Sequence, residues 1–119
     1  MNDIQQLQDD IKKWSDEAFG MHRTGKPIAN HLKKEVDELI EALDVYHQGI
    51  YSNADEYRIK RRRMIMEAAD CFTLLLDVIA HEQFDVNDLV NASIEKIVIN
   101  KKRKWGKPDE NGVVEHIEE

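Results

Sequence analysis

Apolar residues recur along this chain at steps of three and four, the spacing that lines one face of an α-helix. Ile4, Leu7, Ile11, Trp14 and Ala18 form the first such stripe and predict a helix over about 3–19. Gly20, Gly25 and Pro27 then interrupt the pattern. Pro27 suits the first turn of a second helix, because its missing N–H would find no partner there anyway. That helix carries Leu32, Val36, Leu39, Leu43 and Tyr46 on one face and stops near Gly49. Ser52 with Asp55 three residues on reads as the cap of a third helix, whose apolar positions include Ile65, Ala68, Phe72, Leu75 and Ile79 and which ends near Gln83. This segment is longer than a typical helix, so a bend or break before Met64 is expected. A fourth helix starts around 85–88, runs through Leu89, Ile94 and Ile97, and fades after Trp105 into the turn signals Gly106, Pro108 and Gly112. The two β-branched clusters, at 97–99 and near the C-terminus, are too short to define a sheet. The expected fold is all-α, a four-helix bundle, and 119 residues make one domain over 1–119.

Composition narrows the function. An excess of acidic over basic side chains leaves a formal charge of −7, which disfavours general binding to nucleic acid. No apolar run reaches the roughly 18 residues of a membrane helix, and the N-terminus lacks a signal peptide's basic start and apolar stretch, so a cytoplasmic protein without membrane partners is expected. Cys71 is the only cysteine and the histidines are scattered; neither gives a zinc spacing, and any metal is expected to be held by oxygen.

The chemistry concentrates in two acidic pairs. The second helix contains Glu35-Val36-Asp37-Glu38 and the third Glu67-Ala68-Ala69-Asp70. Residues three apart share a helix face, so each pair aims two carboxylates at one region, and antiparallel packing would gather all four. On a helical wheel Glu67 falls among Cys71, Leu74 and Val78, and Glu35 between Leu39 and Ala42, which are core-side positions. Burying a carboxylate is costly unless a cation compensates it. A hard divalent ion such as magnesium does so while retaining waters and bridging to phosphates. On the fourth helix Lys96, Asn100 and Arg103 stand at i, i+4 and i+7, two cations and an amide on one stripe suited to phosphate oxygens. Trp14 and Phe19 fit the apolar pattern and read first as core residues, Cys71 as a small hydrophobe, and the Lys60-Arg61-Arg62-Arg63 run as a solvated helix end.

With these residues in place the chain resembles the MazG-like, all-α nucleoside triphosphate pyrophosphohydrolases, whose signature is ExxE followed at a distance by ExxD, here EVDE and EAAD. AFGMHRTG, HLKKE, EAADCFTLLLDV, KIVINKKRKWG and DENGVVEHI extend the likeness from about Trp14 to Ile117, toward the dATP/dGTP diphosphohydrolase branch. The segment from Gly49 to Arg63 has no counterpart in that pattern. The resemblance implies metal ligation by Glu35, Glu38, Glu67 and Asp70, phosphate contact by Lys96, Asn100 and Arg103, magnesium as cofactor with manganese able to substitute, and a homodimer or homotetramer. Glu38 is the candidate base for the attacking water, and Trp14, Phe19 and His116 are candidates to hold the base of a nucleotide substrate. The rival readings are a di-iron bundle, disfavoured because Glu38 and Asp70 stand where histidines would be wanted, and a helical interaction or regulatory module without catalysis.

Overall fold

The computed structural model describes residues 3–118 and is helical: α1 Asp3–Phe19, α2 Gly25–His47, α3 Ala54–His81 and α4 Val86–Lys102. Among the described residues the only β pairing is an isolated bridge between Trp105 and His116. The chain divides into two compact units, Met1–Val86 and Asn87–Glu119.

In the first unit α3 is the central element, packed against α2 and against α1. Thr24 stands at the N-cap of α2 but makes no side-chain cap bond. The helix start is held instead by the Gly25 N–H, which donates to Glu82 Oε1 at 2.7 Å and ties it to the end of α3. A Cβ on residue 25 would lie 2.9 Å from the Glu82 side chain and 3.1 Å from the Val78 carbonyl oxygen, so a larger residue here would have to displace the Glu82 side chain. Helix α2 ends at His47, and Gly49 turns the chain with φ of 69°.

The start of α3 corrects the expected cap by one residue. Asn53, not Ser52, is the N-cap: its side chain accepts the Glu56 N–H at 2.8 Å, while Glu56 Oε2 accepts the Ser52 N–H at 2.8 Å. Asparagine is a strong cap, and Glu56 supplies the reciprocal arm that Asp55 would have supplied one residue earlier. Nor does α3 break before Met64; it is continuous over 54–81. Its interior holds neither Gly nor Pro, the usual causes of a kink, and three residues of its basic run are engaged by neighbours: Lys60 pairs with Glu56 at 3.0 Å, Arg63 with Glu41 at 3.6 Å, and Arg61 donates to the Tyr46 hydroxyl at 3.3 Å.

The α1–α3 interface inverts the expected pattern. Ile28, Ala42, Leu76, Ala80 and Val86 are the buried apolar residues of this unit, yet α1 buries Gln8 and Ser15 while Ile4, Leu7 and Trp14 of its apolar stripe stay exposed. Gln8 fills its hydrogen-bonding capacity across the junction. Its Nε2 donates to the carbonyl of Phe84 at 3.1 Å and of Leu76 at 3.4 Å, and its Oε1 accepts the Val86 N–H at 2.9 Å.

In the second unit the C-terminal tail folds back on the end of α4. Gly106 N–H donates to Glu115 O at 2.9 Å and Ile117 N–H to Lys104 O at 2.7 Å. Asp109 closes the turn by accepting the N–H groups of Asn111 and Val113.

Candidate metal centre

Helices α2 and α3 bring three of the four expected carboxylates together. Glu35, Glu67 and Asp70 each offer an oxygen, and these oxygens all lie within 4.8 Å of one another. Glu35 and Glu67 are half-buried and Asp70 is exposed, so the core-side placement read from the wheel holds for the first residue of each pair. Magnesium–oxygen bonds of about 2.1 Å let oxygens on one ion stand up to about 4.2 Å apart, so small side-chain rotations suffice to place all three on a single hard cation. Glu38 is exposed and outside this group. An i+3 step turns about 300° around the helix, which carries it to the edge of the α2 face.

The electrostatics show an uncompensated cluster. Burial first, then the charges of Asp70, Glu35 and Glu38, push the Glu67 carboxyl above its usual range, against an opposing pull from Arg63. Burial first, then the charges of Glu35, Asp70 and Glu67, push the Cys71 thiol up, which keeps that residue a thiol and fits its reading as a small hydrophobe. Among the described residues the sole ion-pair partner of the three carboxylates is His31, whose Nε2 stands 3.2 Å from Glu35 Oε1.

A second polar cluster, between α1 and α3, was not read from the sequence. The Ser15 hydroxyl donates to Asp77 Oδ1 at 2.9 Å, His81 Nε2 lies 3.1 Å from the same oxygen, and Arg23 approaches Asp77 Oδ2 at 3.9 Å. His81 Nδ1–H donates to the Arg23 carbonyl at 3.1 Å. Asp16 joins from α1: its Oδ1 is buried without a hydrogen-bond partner 3.7 Å from His81 Nε2, while Lys12 holds its Oδ2 at 2.6 Å and keeps the carboxyl below its usual range. Ser15 is 1% exposed and Asp77 4%, so this group is closed to solvent and works as a clamp between helices. The signal was present, since Asp77 and His81 stand at i, i+4 within an apolar run, the same kind of misfit that drew attention to Glu67.

In the second unit, Arg103 Nη1 donates to Asn100 Oδ1 at 3.4 Å, with Lys96 exposed one turn earlier on α4. Arg103 and His116, with Lys102 and Lys104, border a cleft of about 290 Å³. His116 pairs with Glu118 at 2.8 Å and sets its ring edge-on to Trp105 at 6.1 Å. Trp14 and Phe19 correct the core reading: they are 60% and 58% exposed. Their rings meet edge to face at 5.3 Å, and the Arg23 guanidinium lies over Phe19 at 4.9 Å. The polar side of α1 faces α3, which leaves both aromatics outside.

No helix among the described residues is long and apolar enough to cross a membrane. No family model, curated protein or solved structure matches this chain.

Proposed function

We propose that this chain is a magnesium-dependent nucleoside triphosphate pyrophosphohydrolase, MazG-like, converting a (deoxy)nucleoside triphosphate and water to the monophosphate and pyrophosphate. The observation that carries the reading is the convergence of Glu35, Glu67 and Asp70 from two helices, where among the described residues no Lys or Arg forms an ion pair with them. Like charges held together in a half-buried site raise one another's protonation cost, and a divalent ion removes it. Once bound, magnesium would polarise phosphate oxygens and lower the pKa of attacking water. Glu38, outside the converging three, remains free to accept the proton of that water. Lys96, Asn100 and Arg103 are assigned to the phosphate chain, and Trp14, Phe19 and His116 to the base. A preference for dATP and dGTP follows from the resemblance, with aromatic stacking favouring purines modestly. The working unit is a homodimer or homotetramer, and the compartment the cytoplasm.

Incubation with a nucleotide panel and magnesium, with products separated by chromatography, tests the assignment. Monophosphate and pyrophosphate are expected; phosphate release or no turnover would overturn it. Equal mixtures of the four deoxynucleotides read the purine preference. The exposed apolar faces of α1 to α3 favour a second reading, a helical interaction module without catalysis. The two separate on thermal stability, because an enzyme site gains it with magnesium and nucleotide together and an interaction module is indifferent.

A further inference from the structure

Lys102, Arg103 and Lys104 follow one another where α4 ends, and the returning tail holds them beside His116 and Glu118. Backbone pairing fixes the fold-back: Gly106 N–H donates to Glu115 O, Ile117 N–H to Lys104 O, and Trp105 bridges to His116. Three consecutive bases on their own make a solvated helix end. The fold-back makes them part of the lining of the cleft of about 290 Å³.

The charge of this cleft identifies its ligand. The chain as a whole carries a formal charge of −7, yet the cleft sets three cationic side chains against the single carboxylate of Glu118. Among the described residues neither Lys102 nor Arg103 forms an ion pair with an acid, and the Arg103 guanidinium donates to the Asn100 amide oxygen at 3.4 Å. Glu118 is already answered: its Oε1 lies 2.8 Å from His116 Nε2. Because the Glu118 side chain is 89% exposed, opening that pair costs little. A carboxylate on the His116 ring stands in for an incoming oxyanion, and so assigns His116 to the phosphate end of a nucleotide rather than to its base. The volume narrows the choice further. It lies at the lower limit of pockets that enclose a drug-sized ligand, which suits a small inorganic anion and not a whole nucleotide. A diphosphate carries more charge and more acceptor oxygens than a monophosphate, and engages more of these donors at once.

We propose that this cleft binds inorganic pyrophosphate, with Glu118 as the internal competitor that the anion displaces from His116. The inference rests on the pyrophosphohydrolase reading for the source of the anion alone. Trp105 reports on the cleft, since its indole N–H donates to Asn100 O at 2.9 Å and its ring meets His116 edge-on. Trp14→Phe leaves Trp105 as the only tryptophan. In that background inorganic pyrophosphate is titrated at about 0.15 M salt, with chelator present so that no metal carries the anion to the carboxylates, and calorimetry on wild type reads the same event. A saturable change in Trp105 fluorescence is expected, with pyrophosphate bound at least about tenfold tighter than sulfate. Lys102→Glu weakens binding at least about fivefold and Glu118→Gln tightens it about threefold. Lys96→Glu, on α4 outside the cleft, changes it less than about twofold, and circular dichroism confirms that each variant is folded. Pyrophosphate bound no tighter than sulfate, or indifferent to both cleft substitutions, would overturn the site. A loss in Lys96→Glu as large as in Lys102→Glu would overturn it equally, by moving the anion onto the α4 stripe. Deoxyadenosine monophosphate bound as tightly as pyrophosphate would overturn it by returning His116 to the base. Should the titration hold while the nucleotide panel yields no pyrophosphate, the cleft stands and the reaction assigned to the carboxylates falls.

Discussion

Two clusters of carboxylates sit against α3, and they are arranged on opposite principles. Asp77 has internal partners on both oxygens: a hydroxyl from Ser15 across the α1–α3 interface, a ring nitrogen from His81 one turn along its own helix, and a guanidinium from Arg23. Around Glu67 the neighbours are Glu35, Asp70 and Glu38, so the site adds like charge to like charge while still withholding part of the solvent. A compensated buried acid registers two elements against each other. An uncompensated one stores an unfavourable interaction, which protonation or, on the reading proposed above, an outside cation would relieve.

The contrast fails first, and most visibly, at the level of activity. Glu67→Gln or Glu38→Gln is expected to lower pyrophosphohydrolase turnover at least about a hundredfold with the helical circular dichroism spectrum unchanged; near-normal turnover in either purified variant removes the metal centre. Asp77→Ala should do the converse. By stranding Arg23 and His81 in a closed interface it should cost about 3 kcal/mol of stability, read by denaturant unfolding, and a loss within experimental error of zero would show that the α1–α3 cluster is no clamp.

A finer division comes from melting without metal. The raised Glu67 carboxyl contributes a stability that is complete below its ordinary value of 4.5 and is lost as pH rises through its higher folded value. At neutral pH wild type therefore carries an unrelieved charge, and Glu67→Gln is expected to melt higher than wild type in chelator and to gain nothing from magnesium. A lower melting temperature for the variant would mean the carboxylate is already compensated. The smallest effect belongs to a third, exposed carboxylate. Glu56 is held at about 2 by its hydrogen bonds to Ser52 and by Lys60; a depressed value contributes stability that is complete above 4.5 and lost as pH falls through about 2. Thermal melts between pH 5 and 2 should show this decline flattened in Glu56→Gln, and equal slopes in the two proteins would deny the cap its electrostatic role.

Much of this was legible in the linear pattern, because a helix is a local object. The positions of α1 and of the ends of α2 follow from side-chain period, Pro27 and Gly49. The juxtaposition of Glu35 with Glu67 and Asp70 followed from i, i+3 spacing on two helices that a short connection makes antiparallel. Where local reading failed, it failed on alternatives of nearly equal local merit: Ser52 and Asn53 both make good caps, and the choice fell to the residue whose third neighbour, Glu56, could reach back.

What the tertiary structure alone decided is which side of each helix meets which partner. The period of α1 marks Ile4, Leu7 and Trp14 as one face, but it carries no information about Gln8 and Ser15 finding Asp77, His81 and the free backbone groups at the end of α3. Those partners lie more than sixty residues away in the chain. Hydrophobic period is a property of one segment; satisfaction of buried polar groups is a property of two. For that reason the sequence by itself determined the helices and the acidic pairs, while packing determined that Asp77 would be answered within the fold and that Glu67 would stand among like charges.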